Sequence, residues 1–219
     1  MAQVNSINNK TSQLTVDPGA TANSFIQYNV NASNKFIMGI DNSASNAFKI
    51  SAGSALGTTD TFITTTAGII TRPLQCAFAY RNSSIASNVT GDGTAYTLAA
   101  TTKIFDQGSN FSSPTFTAPV TGYYYLSVKM YIRNEPTAAS TSGTIAIITT
   151  ARTYTFFLDN PSVLPNSGTD FVESVYVFTN MTAADTMTTT LTMSGGTKTI
   201  SMFGSAAQFY TGITGSLIC

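Results

Sequence analysis

The sequence predicts an all-β protein, and three features of its composition indicate this fold class. Thr, a β-branched residue that favours strands, occurs in runs such as 64–66 and 188–190. Glu occurs only at Glu135 and Glu173 and Leu is sparse, whereas helical proteins use both heavily. Short apolar segments alternate with turns rich in Gly, Ser and Asn. With 42% hydrophobic residues, the chain also has enough apolar side chains to fold rather than remain disordered.

The charge and residue inventory excludes several classes of function. The 219 residues include 10 basic and 10 acidic side chains, for a formal net charge of zero, and there is no His. Without an imidazole, neither a Ser-His-Asp nor a Cys-His nucleophile nor a His-ligated metal centre can form. The Lys and Arg residues are scattered along the sequence, so they form neither a basic patch for nucleic acid nor a polybasic patch for a membrane surface. No apolar run approaches the ~18 residues of a membrane-spanning helix. We therefore expect a protein that is not an enzyme and binds neither nucleic acid nor membrane.

Residues 1–24 form the first of three predicted segments, and they are mostly polar. A weak alternation at residues 14–16 is followed by the turn residues Asp17, Pro18 and Gly19. We expect an extended segment that attaches the chain to a larger assembly. The first ten residues lack the basic and apolar regions of a secretory signal peptide, so no signal peptide is expected.

Residues 25–72 carry short apolar segments separated by turn residues, and we predict a β-rich neck. Each segment is too short to build a core within one chain, since an isolated two-stranded unit is marginal in water. We expect these strands to bury one face against symmetry mates. The apolar segments are 25–28, 36–40, 48–50, 62–63 and 69–70.

Residues 73–219 predict a compact head with about eight strands. Alternation is clearest in residues 124–132, where the even positions are apolar. A second alternating strand, 186–193, places Met187, Leu191 and Met193 on one face and Thr residues on the other. This number and spacing of strands predicts a β-sandwich or jelly roll. The remaining predicted strands are 74–81, 96–105, 145–149, 154–158, 171–178 and 208–218.

The most specific motif spans residues 105–128 and reads FDQGSNFSSPTFTAPVTGYYYLSV. It resembles the central signature of the globular heads of the complement C1q and tumour-necrosis-factor superfamily. Residues 77–81 and 209–218 are similar to the first and last strands of that family, so the resemblance covers roughly residues 74–219. Leu126 departs from the family pattern, because an aromatic residue is usual at that position.

The resemblance implies a jelly-roll head that forms a compact homotrimer, with the inner sheets packed about a threefold axis. Only 9% of the residues are charged, which suits a trimer because it buries surface that a monomer would have to keep charged. Aromatic residues are enriched at the cores of interfaces. The candidate trimer-interface residues are Tyr123, Tyr125, Tyr131 and Phe209.

Residues 38–62 resemble repeats that phage and virus fibre proteins carry just before a distal head. Together with the expected lack of a signal peptide, this predicts a virion or phage fibre or spike protein, assembled in the host cytoplasm and displayed on the virion surface. Its trimeric head would bind a cell-surface glycan or protein through loops, with 133–142 and 159–170 as candidates. The alternative is a subunit of a self-assembling extracellular filament, or a capsid decoration protein, without a receptor role.

Acidic residues and cysteines are the remaining candidate site residues. The Asp residues are dispersed and mostly lie in turn contexts, so turn capping is expected and catalysis by a carboxylate pair is disfavoured. Calcium binding by Asp41–Asn42 or Asp159–Asn160 stays open, and no other cofactor is expected. Cys76 and Cys219 fall on neighbouring strands of the family fold. A disulfide and two buried thiols are both open, and a reducing cytosol favours the thiols.

Overall fold

The computed structural model describes residues 22–133, 141–158 and 170–218. The chain divides into two compact units, the first ending at Leu74 and the second beginning at Gln75. Strands dominate both units, and within the described ranges the only helix is a single 3₁₀ turn, Asn42–Ala44. The prediction of an all-β chain is therefore confirmed. Nowhere in these ranges is there a helix long and apolar enough to cross a membrane.

The first unit is a five-stranded antiparallel sheet in which each strand pairs with the next along the chain. The apolar segments predicted from the sequence lie in these strands. The first hairpin turns at Asn31 and Ala32, both with positive φ, as the tight turns that match strand twist require. The strands are β1 (Ser24–Val30), β2 (Ser33–Asp41), β3 (Ala47–Ala52), β4 (Asp60–Thr64) and β5 (Ile70–Thr71).

The two faces of this sheet differ sharply in polarity, because alternate residues of a strand point to opposite sides. The register pairs Tyr28 with Phe36, Met38 with Ile50, and Ile40 with Phe48, so these side chains share one side. That side carries no charged residue, and it is termed here the apolar face. It comprises Ser24, Ile26, Tyr28, Phe36, Met38, Ile40, Phe48, Ile50, Ala52, Phe62, Thr64 and Ile70.

The opposite side of the sheet holds a buried cluster of three charges. Lys49 Nζ lies 2.8 Å from Asp41 Oδ2 and 2.9 Å from Asp60 Oδ2. Asp41 also accepts hydrogen bonds from the backbone and hydroxyl of Ser43, and Asp60 accepts one from the Ser51 hydroxyl. The hydrogen bond from Lys49 lowers the pKa of Asp41, and the same bond raises the pKa of Lys49. The carboxylate of Asp41 is thus neutralised by a lysine, which argues against the calcium site considered at Asp41–Asn42.

The second unit contains two antiparallel sheets. Their strands are β6 (Ala77–Arg81), β7 (Ala86–Thr90), β8 (Ala95–Thr97), β9 (Thr102–Gln107), β10 (Phe111–Ser112), β11 (Thr115–Thr117), β12 (Gly122–Arg133), β13 (Ser142–Thr149), β14 (Thr153–Leu158), β15 (Phe171–Met181), β16 (Thr186–Ser194), β17 (Ile200–Met202) and β18 (Gly212–Leu217). In one sheet the strand order is β15-β12-β18-β6-β9, β17 also pairs with β12, and β7 pairs with β17. In the other sheet the order is β10-β11-β16-β13-β14, and β8 pairs with β16.

The connections between these sheets are those of a jelly roll. The chain passes from β11 in one sheet to β12 in the other and back to β13, and it repeats this exchange from β14 through β15 to β16. Strand β18 then returns between β6 and β12, so the first and last long strands of the unit are neighbours. Two sheets joined by such Greek-key crossings define the jelly-roll sandwich. The predicted architecture of the head is confirmed.

The core lies between the two sheets and is built on the even positions of β12. Tyr124, Leu126, Val128, Met130 and Ile132 are all fully buried there. The Tyr124 hydroxyl donates to the backbone carbonyl of Val120 at 2.7 Å, which satisfies the polar atom of a buried ring. Leu126 is accommodated in the core although it departs from the aromatic residue usual in the resembled family.

Two predicted strands differ most from the observed ones, and others are shifted by a few residues at their ends. The segment 96–105 is divided into β8 and β9, which belong to different sheets, because the chain crosses the core edge through the buried Leu98 and Ala100. The last strand begins at Gly212 rather than at residue 208, since the chain bends repeatedly between residues 206 and 211. The short strands β7, β10, β11 and β17 were not predicted.

Replacing Lys49 with Met leaves Asp41 and Asp60 buried next to each other without a cation. We expect the variant Lys49→Met to lose about 3 kcal/mol of unfolding free energy, since removing one partner of a buried ion pair strands the other charge. Urea unfolding of the full chain measures this, with Lys35→Met, at an exposed lysine of the same sheet, as the control.

The pH dependence of unfolding gives a second readout of the same variant. The pKa of Asp41 is lower in the folded state than in the unfolded chain. The contribution of this carboxylate to the free energy of unfolding is therefore complete above the unfolded pKa of about 3.9, and it is lost as the pH falls through the lower pKa of the folded state. Equal unfolding free energies for Lys49→Met and Lys35→Met would contradict a stabilising role of the cluster.

Candidate oligomerisation surface

The β15-β12-β18-β6 sheet turns one side away from the core, and aromatic residues gather on that side. Since the even positions of β12 fill the core, its odd positions, including Tyr123, Tyr125 and Tyr131, point outward. Strand pairing sets Phe178 of β15 directly opposite Tyr125. This surface is termed here the aromatic face, and it comprises Tyr123, Tyr125, Tyr131, Tyr176, Phe178, Phe203, Phe209 and Tyr210.

Three rings form the middle of the aromatic face. The ring centroid of Tyr125 lies 5.2 Å from that of Phe178 and 5.8 Å from that of Tyr176. Tyr176 and Phe178 meet edge to face with centroids 6.3 Å apart, and Phe178 is 64% exposed. Contacts of this kind hold the rings in place before any partner arrives. A contiguous exposed cluster of large apolar side chains indicates an interaction surface.

A second aromatic group surrounds Tyr131. Its ring centroid lies 5.0 Å from that of Phe203 and 5.5 Å from that of Tyr210, and the guanidinium carbon of Arg133 lies 4.9 Å from the Phe203 centroid. The Tyr131 hydroxyl donates to Asp170 at 3.1 Å, and Arg133 Nε lies 3.1 Å from the same carboxylate oxygen. Burial, reinforced by the bond to Asp170, raises the pKa of Tyr131. Tyr131 is therefore a neutral, fixed part of the surface near pH 7.

Phe209 reaches the aromatic face from the loop that precedes β18. Gly212 pairs with Lys129, an odd position of β12, so it faces outward. A Cβ atom at Gly212 would lie 2.5 Å from Cζ of Phe209, which shows that the ring covers this glycine. All four candidate interface residues predicted from the sequence thus share one side of one sheet. Their contact with a second subunit stays a prediction.

Sequence reasoning missed half of this surface. Tyr176 and Phe178 alternate along β15 with the inward Val175 and Val177, and this pattern could have found them. Phe203 and Tyr210 lie outside regular strands, in the connection between β17 and β18, where no periodicity indicates which side a ring covers.

Beside the aromatic rings, the same sheet presents a strip of small side chains. Ser216 pairs with Tyr125 and Ala77, and Thr214 pairs with Ser127. Large rings on β12 and β15 therefore stand next to the half-buried small residues Ser216, Thr214 and Ala77 of β18 and β6. A projecting patch and a flat patch on one chain are the two complementary surfaces that a head-to-tail ring of subunits needs.

Asp106 and Asp185 act in turns, as predicted. The carboxylate of Asp106 accepts hydrogen bonds from the backbone of Asn110 and Phe111, each at 3.1 Å. Asp185 accepts one from the backbone of Thr182 at 2.8 Å. Among the residues that the structure describes, no three His, Cys, Asp or Glu side chains are grouped to hold a metal. Asp159–Asn160, the second calcium candidate, lies outside them.

Cys76 is buried immediately before β6, and its burial raises the pKa of the thiol to about 11. Cys219 lies outside the described residues, so the pairing of the two cysteines stays open. Residues 1–21 of the predicted attachment segment also lie outside the described residues, as do residues 134–140 and 159–169, which make up most of the candidate receptor loops.

No protein-family model and no curated protein matches the chain. Solved structures do match, each with a TM-score of 0.44. The globular domain of zebrafish complement 1qA is 16% identical over 66% of this chain and 98% of its own. Murine APRIL is 9% identical over 66% of this chain and 99% of its own, and the PRD1 vertex protein P5 is 12% identical over 67% and 99%. The solved structures to which the chain is similar thus include a C1q globular domain, the type of head that residues 105–128 resemble.

The buried thiol gives a chemical test of the fold around β6. A thiol with a pKa near 11 is almost entirely protonated at pH 8, and only the thiolate is the nucleophile. We expect Cys76 of the folded chain, in a Cys219→Ser background, to remain unalkylated by iodoacetamide at pH 8 and to react fully in urea. Mass spectrometry counts the added groups. Rapid alkylation of Cys76 in the folded chain would contradict its placement.

Proposed function

We propose that this chain is the subunit of a homotrimeric, non-enzymatic virion or phage fibre or spike protein, whose head binds a cell-surface glycan or protein. The observation that carries the proposal is the aromatic face, a row of rings on the outside of the jelly-roll sandwich, of which Tyr123, Tyr176 and Phe178 are exposed and the others half-buried. A monomer would leave these rings in water, whereas burial of apolar surface drives association.

The trimer would form by packing the rings of one subunit against the strip of small residues on the next. Because the two surfaces differ, the contact is head-to-tail, and a rotation that closes after three subunits gives a finite ring. The low charge of the chain supports this arrangement. Aromatic side chains are the residues that most often dominate interface energies.

The other segments complete the proposed spike. Residues 1–24 attach the chain to a larger virion or fibre assembly, and residues 25–72 form the neck that carries the head. Loops 133–142 and 159–170 contact the receptor. Three identical heads on one neck make weak single-site binding tight, because the second and third contacts occur at high effective concentration.

A charge placed on the aromatic face tests the trimer. We expect the wild-type chain to have a solution mass near three times 23.1 kDa. In Phe178→Asp the buried carboxylate would be unpaired, so the trimer should dissociate at concentrations at least about tenfold higher than for wild type. Light scattering over a dilution series measures this.

The matched control is Phe157→Asp, because Phe157 of β14 is 84% exposed and lies on the other sheet of the sandwich. This variant should remain trimeric. A monomeric wild-type chain, or equal weakening of the trimer by both substitutions, would overturn the assignment of the aromatic face.

A filament or capsid decoration subunit remains the second candidate, and the edge of the first sheet favours it. In the described part of the chain β1 pairs with β2 alone, so β1 is an edge strand of the kind to which another strand can be added. The attachment segment of another copy could supply that strand.

Deleting residues 1–24 separates the two candidates. For a spike, we expect the truncated chain to remain trimeric and to bind host cells as the full chain does, while attachment to virions is lost. For a filament, the full chain should form long polymers that disappear on truncation. Light scattering measures the size of the assembly, and a cell-binding assay measures receptor binding. Polymers that form only when residues 1–24 are present would contradict the assignment as a spike.

A further inference from the structure

The apolar face of the first unit is uncovered in the described chain. Tyr28 is 50% exposed there, and Phe36 and Ile70 are similarly open. At its middle, Met38 and Ile40 help to line a shallow groove whose wall includes Phe48. A sheet is stable in water when each apolar side is covered by a second layer. We therefore expect another layer of protein to pack against this side.

The chain covers the other side of the same sheet with its own residues. The Lys49 cluster lies there, with Gly57 of the β3–β4 connection so close that a Cβ on it would be 3.1 Å from Asp41 Oδ2. The backbone N–H of Gly57 also donates to Asp60 at 2.9 Å. In the part formed by β2, β3 and β4, the sheet thus has one side closed by a loop and a buried ion cluster, whereas its apolar side is left open.

We infer that the apolar face is a second subunit interface, on which the first units of the same trimer pack against one another. The inference rests on the proposed trimer of heads. Strand β5 ends at Thr71 and β6 begins at Ala77, so a trimer of heads tethers three first units through connections of a few residues. Such tethering gives effective concentrations on the millimolar scale.

The chemistry of the face favours a second copy of the chain over a charged partner. None of its residues is Lys, Arg, Asp or Glu, so copies placed face to face meet no repulsion between like charges. A charged partner would find no complementary group on it. The Tyr28–Phe36 pair supplies two exposed rings to the face, and tyrosine is among the residues that most often dominate interface energies.

Two cysteine variants of the full chain, both in a Cys219→Ser background, test the inference. Tyr28→Cys places a thiol on the apolar face. Thr71→Cys places one at an exposed position on the opposite side, since Thr71 pairs with Ile63 and Ile63 with Lys49. The buried Cys76 does not compete for a maleimide. We expect Cys at position 28 to be labelled about tenfold more slowly than Cys at position 71, because a residue in an interface reacts only when that interface opens.

Light scattering of the same samples distinguishes the ways in which the inference can fail. A trimeric mass with slow labelling at position 28 supports it. A trimeric mass with equal labelling rates overturns the second interface and leaves the trimer of heads intact. A monomeric mass overturns both. Should Tyr28→Cys fail to fold, Ile70→Cys places the probe on the same face.

Discussion

The strict alternation of side chains along β12 is the constraint on which the second unit depends. This strand pairs with β15 along almost its whole length and with β18 and β17 on its other edge. Its even residues fill the core and its odd residues carry the aromatic face. A shift of register by one residue would move Tyr124 and Leu126 into water and bury Tyr125. The register of β12 with its neighbouring strands therefore determines both which residues fill the core and which residues form the candidate interface.

The elements with the strongest periodicity are the ones that sequence predicts well. In β12 burial follows the apolar positions residue by residue, and in β16 it alternates in the same way, with Thr189 as the one polar residue on the buried side. The crossing at Leu98 and Ala100 could not be predicted, because two strands of different sheets and the buried residues between them look like one apolar run. The strands β10 and β17 are too short to show a period, and only their partners in other parts of the chain define them.

The candidate site was half predictable for a related reason. Tyr123, Tyr125 and Tyr131 follow from the alternation of one strand, whereas Phe203 reaches the same surface from a loop. The ion cluster in the first unit was not predicted at all. Lys49, Asp41 and Asp60 are brought together by the pairing of three strands, and a one-residue bulge between Ile50 and Ser51 sets the position of Asp60. Sequence spacing alone does not contain that register.

The uncharged character of the apolar face bears on how assembly responds to its surroundings. Salt acts on association by screening charges, and this surface offers none to screen. Its burial is driven by the release of ordered water, a term that weakens on cooling. Contacts made through it would hold across a wide range of ionic strength yet loosen in the cold. Association through this face is therefore expected to respond more strongly to cooling than to moderate changes in ionic strength.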